Sequence, residues 1–207
     1  MSLSAGLGHG LQALGLALSQ EAQAKLVAYL ALVEKWNSVY NLTAVRDPRQ
    51  MLAHHLLDSL AVSPHVTGTS LVDVGSGAGL PGIPLALARP DTAVTLVDSS
   101  HKKSAFLKQV AIELALENVE VVCARIESWE APRRYDVVIS RAFSDLAEFA
   151  SVAGRLTAEG GVLAAMKGVH PFEELAQLPA PYRMRAVIPL TVPGLDAQRH
   201  LVLLERD

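Results

Sequence analysis

Apolar residues at Ala22, Leu26, Tyr29, Leu30, Val33 and Trp36 recur at three- and four-residue steps, which is one face of a helix over 19–36. Ser19 stands where a hydroxyl can cap that helix. A second helix start follows at Asp47-Pro48-Arg49-Gln50. There the acid serves as cap, proline takes the first helical position and glutamine lies three residues past the cap. This helix is expected to run to about Val62, where Ser63-Pro64 ends it. From Leu71 the period changes. Apolar runs at 71–74, 93–97, 119–124, 136–140, 161–166, 184–189 and 200–204 read as seven strands. Helical stretches alternate with them, among them 102–116 with Phe106, Leu107, Val110 and Leu114 on one face, and a short one near 171–178. Such alternation implies an α/β fold, a mostly parallel sheet with helices on both faces. The chain divides into a helical extension at 1–65, packed on a core at 66–207.

At 207 residues the chain can bury its own core, and half of its residues are apolar. No uncharged apolar run reaches eighteen residues and no basic leader precedes one, so neither a membrane span nor a signal peptide is expected. One cysteine, Cys123, allows no internal disulfide and favours a cytoplasmic setting. It lies in an apolar strand, where a thiol is expected to pack rather than react. The formal charge of −3 is not the footprint of a protein that coats nucleic acid nonspecifically. Contact with a polyanion falls to local basic patches.

The segment 71–82 carries the most chemistry. An apolar strand ending at Asp73 and Val74 runs into a turn with Gly75, Gly77 and Gly79 at alternate positions. Without Cβ atoms that backbone can bend sharply and approach a ligand. The helix that follows points its first N–H groups at the same place. A nucleoside cofactor sits there in an open α/β sheet. Gly77-Ala-Gly79-Leu-Pro-Gly82 also matches the dinucleotide pattern G-x-G-x-x-G. Three details weigh against NAD: the match begins two residues late, Pro81 occupies the start of the helix, and Asp73 would face a pyrophosphate. An acid at 73 suits a cationic ligand such as the amino-acid end of S-adenosylmethionine, or it acts through water or by fixing the turn. Asp98 closes the second strand and can accept from both ribose hydroxyls. Past the third strand, Ala124-Arg125-Ile126-Glu127 offers an apolar wall and an acceptor for an adenine amine.

Five segments together carry a wider likeness. Asn41-Leu-Thr-Ala-Val-Arg-Asp-Pro, His55-Leu-Leu-Asp-Ser, Asp73-Val-Gly-Ser-Gly-Ala-Gly-Leu-Pro-Gly-Ile-Pro, Ile139-Ser-Arg-Ala-Phe and Leu195-Asp-Ala-Gln-Arg-His-Leu resemble the RsmG (GidB) family. The likeness spans about 14–204. It implies a class I S-adenosylmethionine-dependent methyltransferase, Rossmann-like, with a seven-stranded sheet and an N-terminal helical extension. It implies transfer to N7 of a guanine in 16S ribosomal RNA, guanine 527 in the family. The cofactor is implied at Gly75, Leu80, Ile126, Glu127 and Arg141, beside Asp73, Gly77, Gly79 and Asp98 from the reading of the turn. The expected partner is 16S RNA within the small ribosomal subunit, with no membrane, no metal and a monomeric enzyme. Residues 1–10 match nothing in that pattern and read as a disordered tail or an appended foreign segment.

The residues also speak to the acceptor. Methylation at pyrimidine carbon-5 needs a cysteine in a loop, which Cys123 does not supply. Methylation of an exocyclic amine commonly uses an Asn/Asp-Pro-Pro-aromatic loop after the fourth strand. Ser140-Arg141-Ala142-Phe143 stands there instead. Guanine N7 has a free lone pair and no proton to lose, so positioning groups suffice. Arg141 can donate to guanine O6. Arg125 and Lys167, also at strand exits, are candidates to hold phosphate or base, and Phe143 to stack or to pack. His54, His55 and Asp58 share the second helix, and their spacing favours packing or support of a loop over a metal. Three readings stay open beside the N7 enzyme: another nucleic-acid or small-molecule acceptor, a non-catalytic nucleotide sensor, and an NAD oxidoreductase.

Overall fold

Seven strands form one sheet in the order β3-β2-β1-β4-β5-β7-β6 in a computed structural model that describes residues 2–207. They are β1 (Ser70–Val74), β2 (Ala93–Asp98), β3 (Val119–Cys123), β4 (Tyr135–Ser140), β5 (Thr157–Lys167), β6 (Tyr182–Pro189) and β7 (His200–Arg206). The first five run parallel, and β7 enters antiparallel between β5 and β6. All seven runs of the sequence are strands. The largest difference is β5, which begins four residues early and curls at Gly160, where φ is +72°.

Both faces of the sheet are covered, which is why its strands read as nearly continuous apolar runs. Side chains alternate along each strand. Leu71, Val137 and Ile139 join a cluster with Ile83 and Phe106, while Val72, Val74 and Val138 join a second cluster with Leu146 and Phe149. The first face carries α5 (Gly82–Ala88) and α6 (His101–Glu113), the second α7 (Leu146–Ala153); a short α8 (Phe172–Leu175) precedes β6. Among the described residues no helix is long and apolar enough to cross a membrane.

The N-terminal third is helical and shares the first cluster. In α2 (Gln20–Tyr40), Ser19 caps as expected, its Oγ accepting from Ala22 N at 3.1 Å. Asp47 Oδ1 accepts from Arg49 N at 2.9 Å, opening the second predicted helix. That helix is not uniform: α3 (Pro48–Met51) passes into a π-helical stretch (Leu52–Leu57) and then α4 (Asp58–Leu60). Such a stretch frequently marks a functional site. The expected disordered tail is corrected: Leu3–Ala13 form α1, with Leu7 and Leu11 buried in the shared cluster. Its glycines hid it, because glycine is a poor helix former in isolation. Here Gly10 is buried against Leu57.

Candidate active site

The strand order reverses direction between β1 and β4, and ligands in open α/β sheets bind at that point, beyond the carboxyl ends of the strands. The turn after β1 lies there. Gly75 N and Ser76 N donate to Val97 O at 2.8 and 3.1 Å, which folds the turn over the end of β2. Gly75, Gly77 and Gly79 have φ of +72°, +59° and +91°, the left-handed region that makes the sharp bend expected of them. A Cβ on Gly75 would stand 2.8 Å from Ala142 Cβ, so the bare backbone keeps the exits of β1 and β4 open. From the first helical layer, buried Tyr29 of α2 props the turn, its hydroxyl donating to Ala78 O at 2.6 Å.

Asp73 fixes the turn, one of the roles open to it in the sequence. By alternation it shares the face of Leu71, towards α5. It is wholly buried, and its Oδ2 accepts from Gly82 N at 2.9 Å, capping that helix. Burial pushes its carboxyl up to about 7, while the Gly82 N–H and the Arg141 charge pull the other way. Its other oxygen, Oδ1, is buried without a hydrogen-bond partner among the described residues.

A cleft of roughly 370 Å³ opens beside the turn, lined by Gly75, Asp98, Ile126 and Glu127 among others. Asp98 Oδ2 accepts from Gly77 N at 2.9 Å and Oδ1 from Ser100 N at 2.8 Å. Each oxygen keeps a second lone pair. Ile126 is half-buried and packed on the second core cluster, and Glu127 is exposed at the rim. Arg155, which sequence reasoning passed over, holds this loop by donating from Nη2 to the carbonyls of Ile126 and Trp129. Phe143 lines the cleft but also packs on Phe149, ring centroids 5.2 Å apart, which favours the packing reading. Cys123 is half-buried on an edge strand with its Sγ 3.4 Å from His101 Nδ1, rather than in the core.

Gly75 and Ala142 also line a smaller hollow of about 170 Å³ with Leu42, Thr43, Gly77, Leu80 and Arg141. Arg141 forms its far wall and borders a third cavity, of about 370 Å³, together with His54, His55, Asp58, Lys167 and Arg199. Clefts and cavities thus run in a chain across the ends of β3, β2, β1, β4 and β5. Ser140 aims the Arg141 segment: its hydroxyl donates to Val74 O at 2.7 Å and accepts from Ala142 N at 3.0 Å.

The three predicted cations are therefore not one group. Arg141 and Lys167 meet in the third cavity, whereas Arg125 lines the first cleft, beside Glu127. Arg141 Nη1 donates to His54 O at 3.2 Å and to Asp58 Oδ2 at 3.3 Å. Asp58 Oδ1 accepts from Arg199 Nε at 3.0 Å. Lys167 Nζ donates to Ser144 O at 2.6 Å and to Glu174 Oε2 at 2.8 Å. His55 Nε2 lies 3.0 Å from Thr43 Oγ1, and burial lowers its imidazole to about 4. In the sequence Arg199 stood out only as part of Leu195-Asp-Ala-Gln-Arg-His-Leu, and Asp58 for a supporting role. Their signal was present in His55-Leu-Leu-Asp-Ser and Asp-Ala-Gln-Arg-His, but nothing in either segment names the other as partner.

A model of the family described as "GidB: rRNA small subunit methyltransferase G" matches residues 22–202. The chain is 57% identical over 207 residues to ribosomal RNA small subunit methyltransferase G of Nitrosospira multiformis, covering 97% of this chain and 96% of that one. It is 57% identical over 204 residues to the protein of the same description from Laribacter hongkongensis, covering 99% of each. Among solved structures, it is similar to a SAM-dependent methyltransferase from Aquifex aeolicus, with a TM-score of 0.58 and 19% identity over 76% of this chain and 93% of that one. It is also similar to the glycopeptide N-methyltransferase MtfA complexed with S-adenosyl-L-homocysteine, with a TM-score of 0.63 and 11% identity over 74% and 87%. At these identities the two structures speak for the fold alone.

Proposed function

Because this chain belongs to the rRNA small subunit methyltransferase G family, we propose that it methylates N7 of a guanine in 16S ribosomal RNA, guanine 527, within the small ribosomal subunit. It is a methyltransferase, and its cofactor is S-adenosylmethionine. The first cleft fits that cofactor: its volume lies in the range of small-molecule sites, and Gly75 leaves the space a Cβ would fill. In this reading Asp98 accepts from the ribose, Ile126 and Glu127 hold the adenine, and Gly75, Leu80 and Arg141 line the path of the amino-acid end. Gly77 and Gly79 shape the turn, and Asp73 holds it from behind. Arg125 flanks the adenine side and takes no part at the acceptor. When bound, the cofactor supplies an electrophilic methyl group on a sulfonium.

The third cavity carries the assignment of the acceptor. The single carboxylate lining it among the described residues, Asp58, is held by two guanidiniums. His55 is kept neutral and poorly basic at physiological pH. Such a cavity is well-equipped to hold an acceptor in line. Guanine N7 reacts through its own lone pair, so placement is what the protein must provide, and placement alone can supply roughly 7–11 kcal/mol. Arg141 donates to O6 and leaves N7 free. Lys167 and Arg199 set the cationic floor that receives the nucleotide.

The test is transfer of labelled methyl from S-adenosylmethionine to small subunits that lack the modification. Digestion to nucleosides, with reductive strand scission for mapping, should place the label as N7-methylguanosine at guanine 527. Label in another nucleoside, or none in small-subunit RNA, would overturn the reading.

A further inference from the structure

Large apolar side chains on the surface are ordinary when scattered singly. Phe172 and Val169 are not scattered. They are 72% and 70% exposed and stand three residues apart on the segment that leaves β5. Phe172 stacks on His170 with ring centroids 3.7 Å apart and planes 23° apart. His170 in turn meets His200 edge-on at 5.5 Å. The outer ring of this stack is open to solvent.

Its position gives it meaning. The segment starts at Lys167 and Gly168, which line the cavity of Arg141 and Arg199. His200 Nδ1 is bonded to Gly168 O at 3.0 Å, and β7 pairs His200 with Lys167, so the inner end of the stack is fixed to the cavity wall. Glu174, two residues beyond Phe172, bonds both Lys167 Nζ and Leu146 N, which anchors the outer end. A preorganised aromatic surface beside a cationic cavity is the pattern that binds single-stranded nucleic acid. The cations take the phosphates, and each base offers a π-face to stack.

We propose that Phe172, supported by His170 and flanked by Val169, is a stacking subsite for an unpaired RNA base neighbouring the acceptor guanine. The inference rests on the reading of the third cavity as the acceptor site. It adds a second point of attachment. The base next to the acceptor is held flat on Phe172, so the strand is splayed and the acceptor enters the cavity alone.

The experiment compares wild type, Phe172→Ala and Phe172→Trp on the RNA substrate that the wild type methylates. Loss of one stacked base should raise KM for RNA about tenfold in Phe172→Ala. Its kcat, melting temperature and affinity for S-adenosylmethionine should stay near wild type, and Phe172→Trp should restore KM. In parallel, Phe172→p-benzoylphenylalanine should cross-link on irradiation to a nucleotide adjacent to the methylated guanine. An unchanged KM in Phe172→Ala overturns the subsite. So does a defect that tracks a lowered melting temperature and is not rescued by tryptophan, or cross-linking to ribosomal protein in place of RNA. Those failures leave the functional reading standing, because the wild type still methylates its guanine. A wild type that methylates no small-subunit RNA removes the functional reading and the subsite with it.

Discussion

Asp58 and Arg199, 141 positions apart in the chain, meet at 3.0 Å between carboxylate Oδ1 and guanidinium Nε. The other oxygen of the same carboxylate holds Arg141 at 3.3 Å. Asp58 is 2% exposed, so it is a buried anion stabilised by two cations, one from the exit of β4 and one from the segment before β7. The π-helical stretch just before it also turns His54 O towards Arg141. Asp58→Ala would leave two guanidiniums facing one another without their shared anion. Losing one partner of a buried ion pair costs about 3–5 kcal/mol, and the partial exposure of both arginines reduces that to roughly 2–3 kcal/mol. We expect that loss in urea unfolding, with methyl transfer down at least about 100-fold and S-adenosylmethionine affinity nearly unchanged. Wild-type turnover in Asp58→Ala would show that neither arginine needs it.

Two buried groups should make stability depend on pH in opposite senses. Asp73 is raised by burial from 3.8 to about 7, so its contribution is fully present below pH 3.8 and is lost as pH rises through 7. His55 is lowered by burial from 6.5 to about 4, so its contribution is fully present above pH 6.5 and is lost as pH falls through 4. Between those limits the two nearly cancel, and wild-type stability should be flat. Single substitutions unmask each side. Going from pH 4 to pH 8, Asp73→Asn should gain on the wild type by on the order of 3–4 kcal/mol. Going from pH 7 to pH 4, His55→Gln should gain by roughly 3 kcal/mol. Urea titrations across that range decide it; difference curves that do not slope with pH would mean neither group titrates where its burial places it.

Gly75 and Gly77 both hold a left-handed φ, but their surroundings differ. A Cβ at Gly75 would press on Ala142 Cβ at 2.8 Å, where the first cleft joins the hollow at Arg141. At Gly77 the nearest atom, Gly75 O, is 3.9 Å away. Both alanine variants should lose about 1–2 kcal/mol of stability to the backbone conformation. Gly75→Ala should in addition weaken S-adenosylmethionine binding about tenfold or more by calorimetry, and Gly77→Ala far less. Equal affinities in the two variants would place the cofactor's path elsewhere.

These contrasts separate what a sequence can declare from what only the folded chain can. The strands, the glycine turn and the caps at Ser19 and Asp47 were legible because each is written in a few consecutive residues, as a period or a local hydrogen bond. The site was legible in part. Arg141 and Lys167 come together because parallel strands β4 and β5 end at one edge, which their order in the chain already suggests. Arg125 stands at the same edge but lines the first cleft, since the exit of β3 lies on the far side of β2 and β1. The bonds from Arg199 to Asp58 and from Tyr29 to Ala78 join residues 141 and 49 positions apart. No local pattern specifies such pairs; they follow from how the helical extension docks. The π-helical stretch likewise keeps the apolar pattern of an ordinary helix.

The helix misread as a tail offers a sharp check of docking against composition. Gly8 and Gly10 both lie within α1. A Cβ at Gly8 meets nothing within 4 Å, while one at Gly10 would stand 2.5 Å from Leu57 Cδ1 and 3.1 Å from its Cγ. Leu57 is 3% exposed and has little room to withdraw. Gly8→Ala should therefore stabilise the protein by about 0.5–1 kcal/mol, the backbone entropy glycine loses in a helix. Gly10→Ala gains the same term but overpacks the contact with Leu57, at a cost of about 1–3 kcal/mol, and should come out neutral to destabilised. Thermal unfolding of the two variants measures the difference. In a disordered tail both substitutions would leave the melting temperature unchanged, so opposite shifts at two glycines a half-turn apart would establish that α1 is seated on the π-helical stretch that presents Asp58.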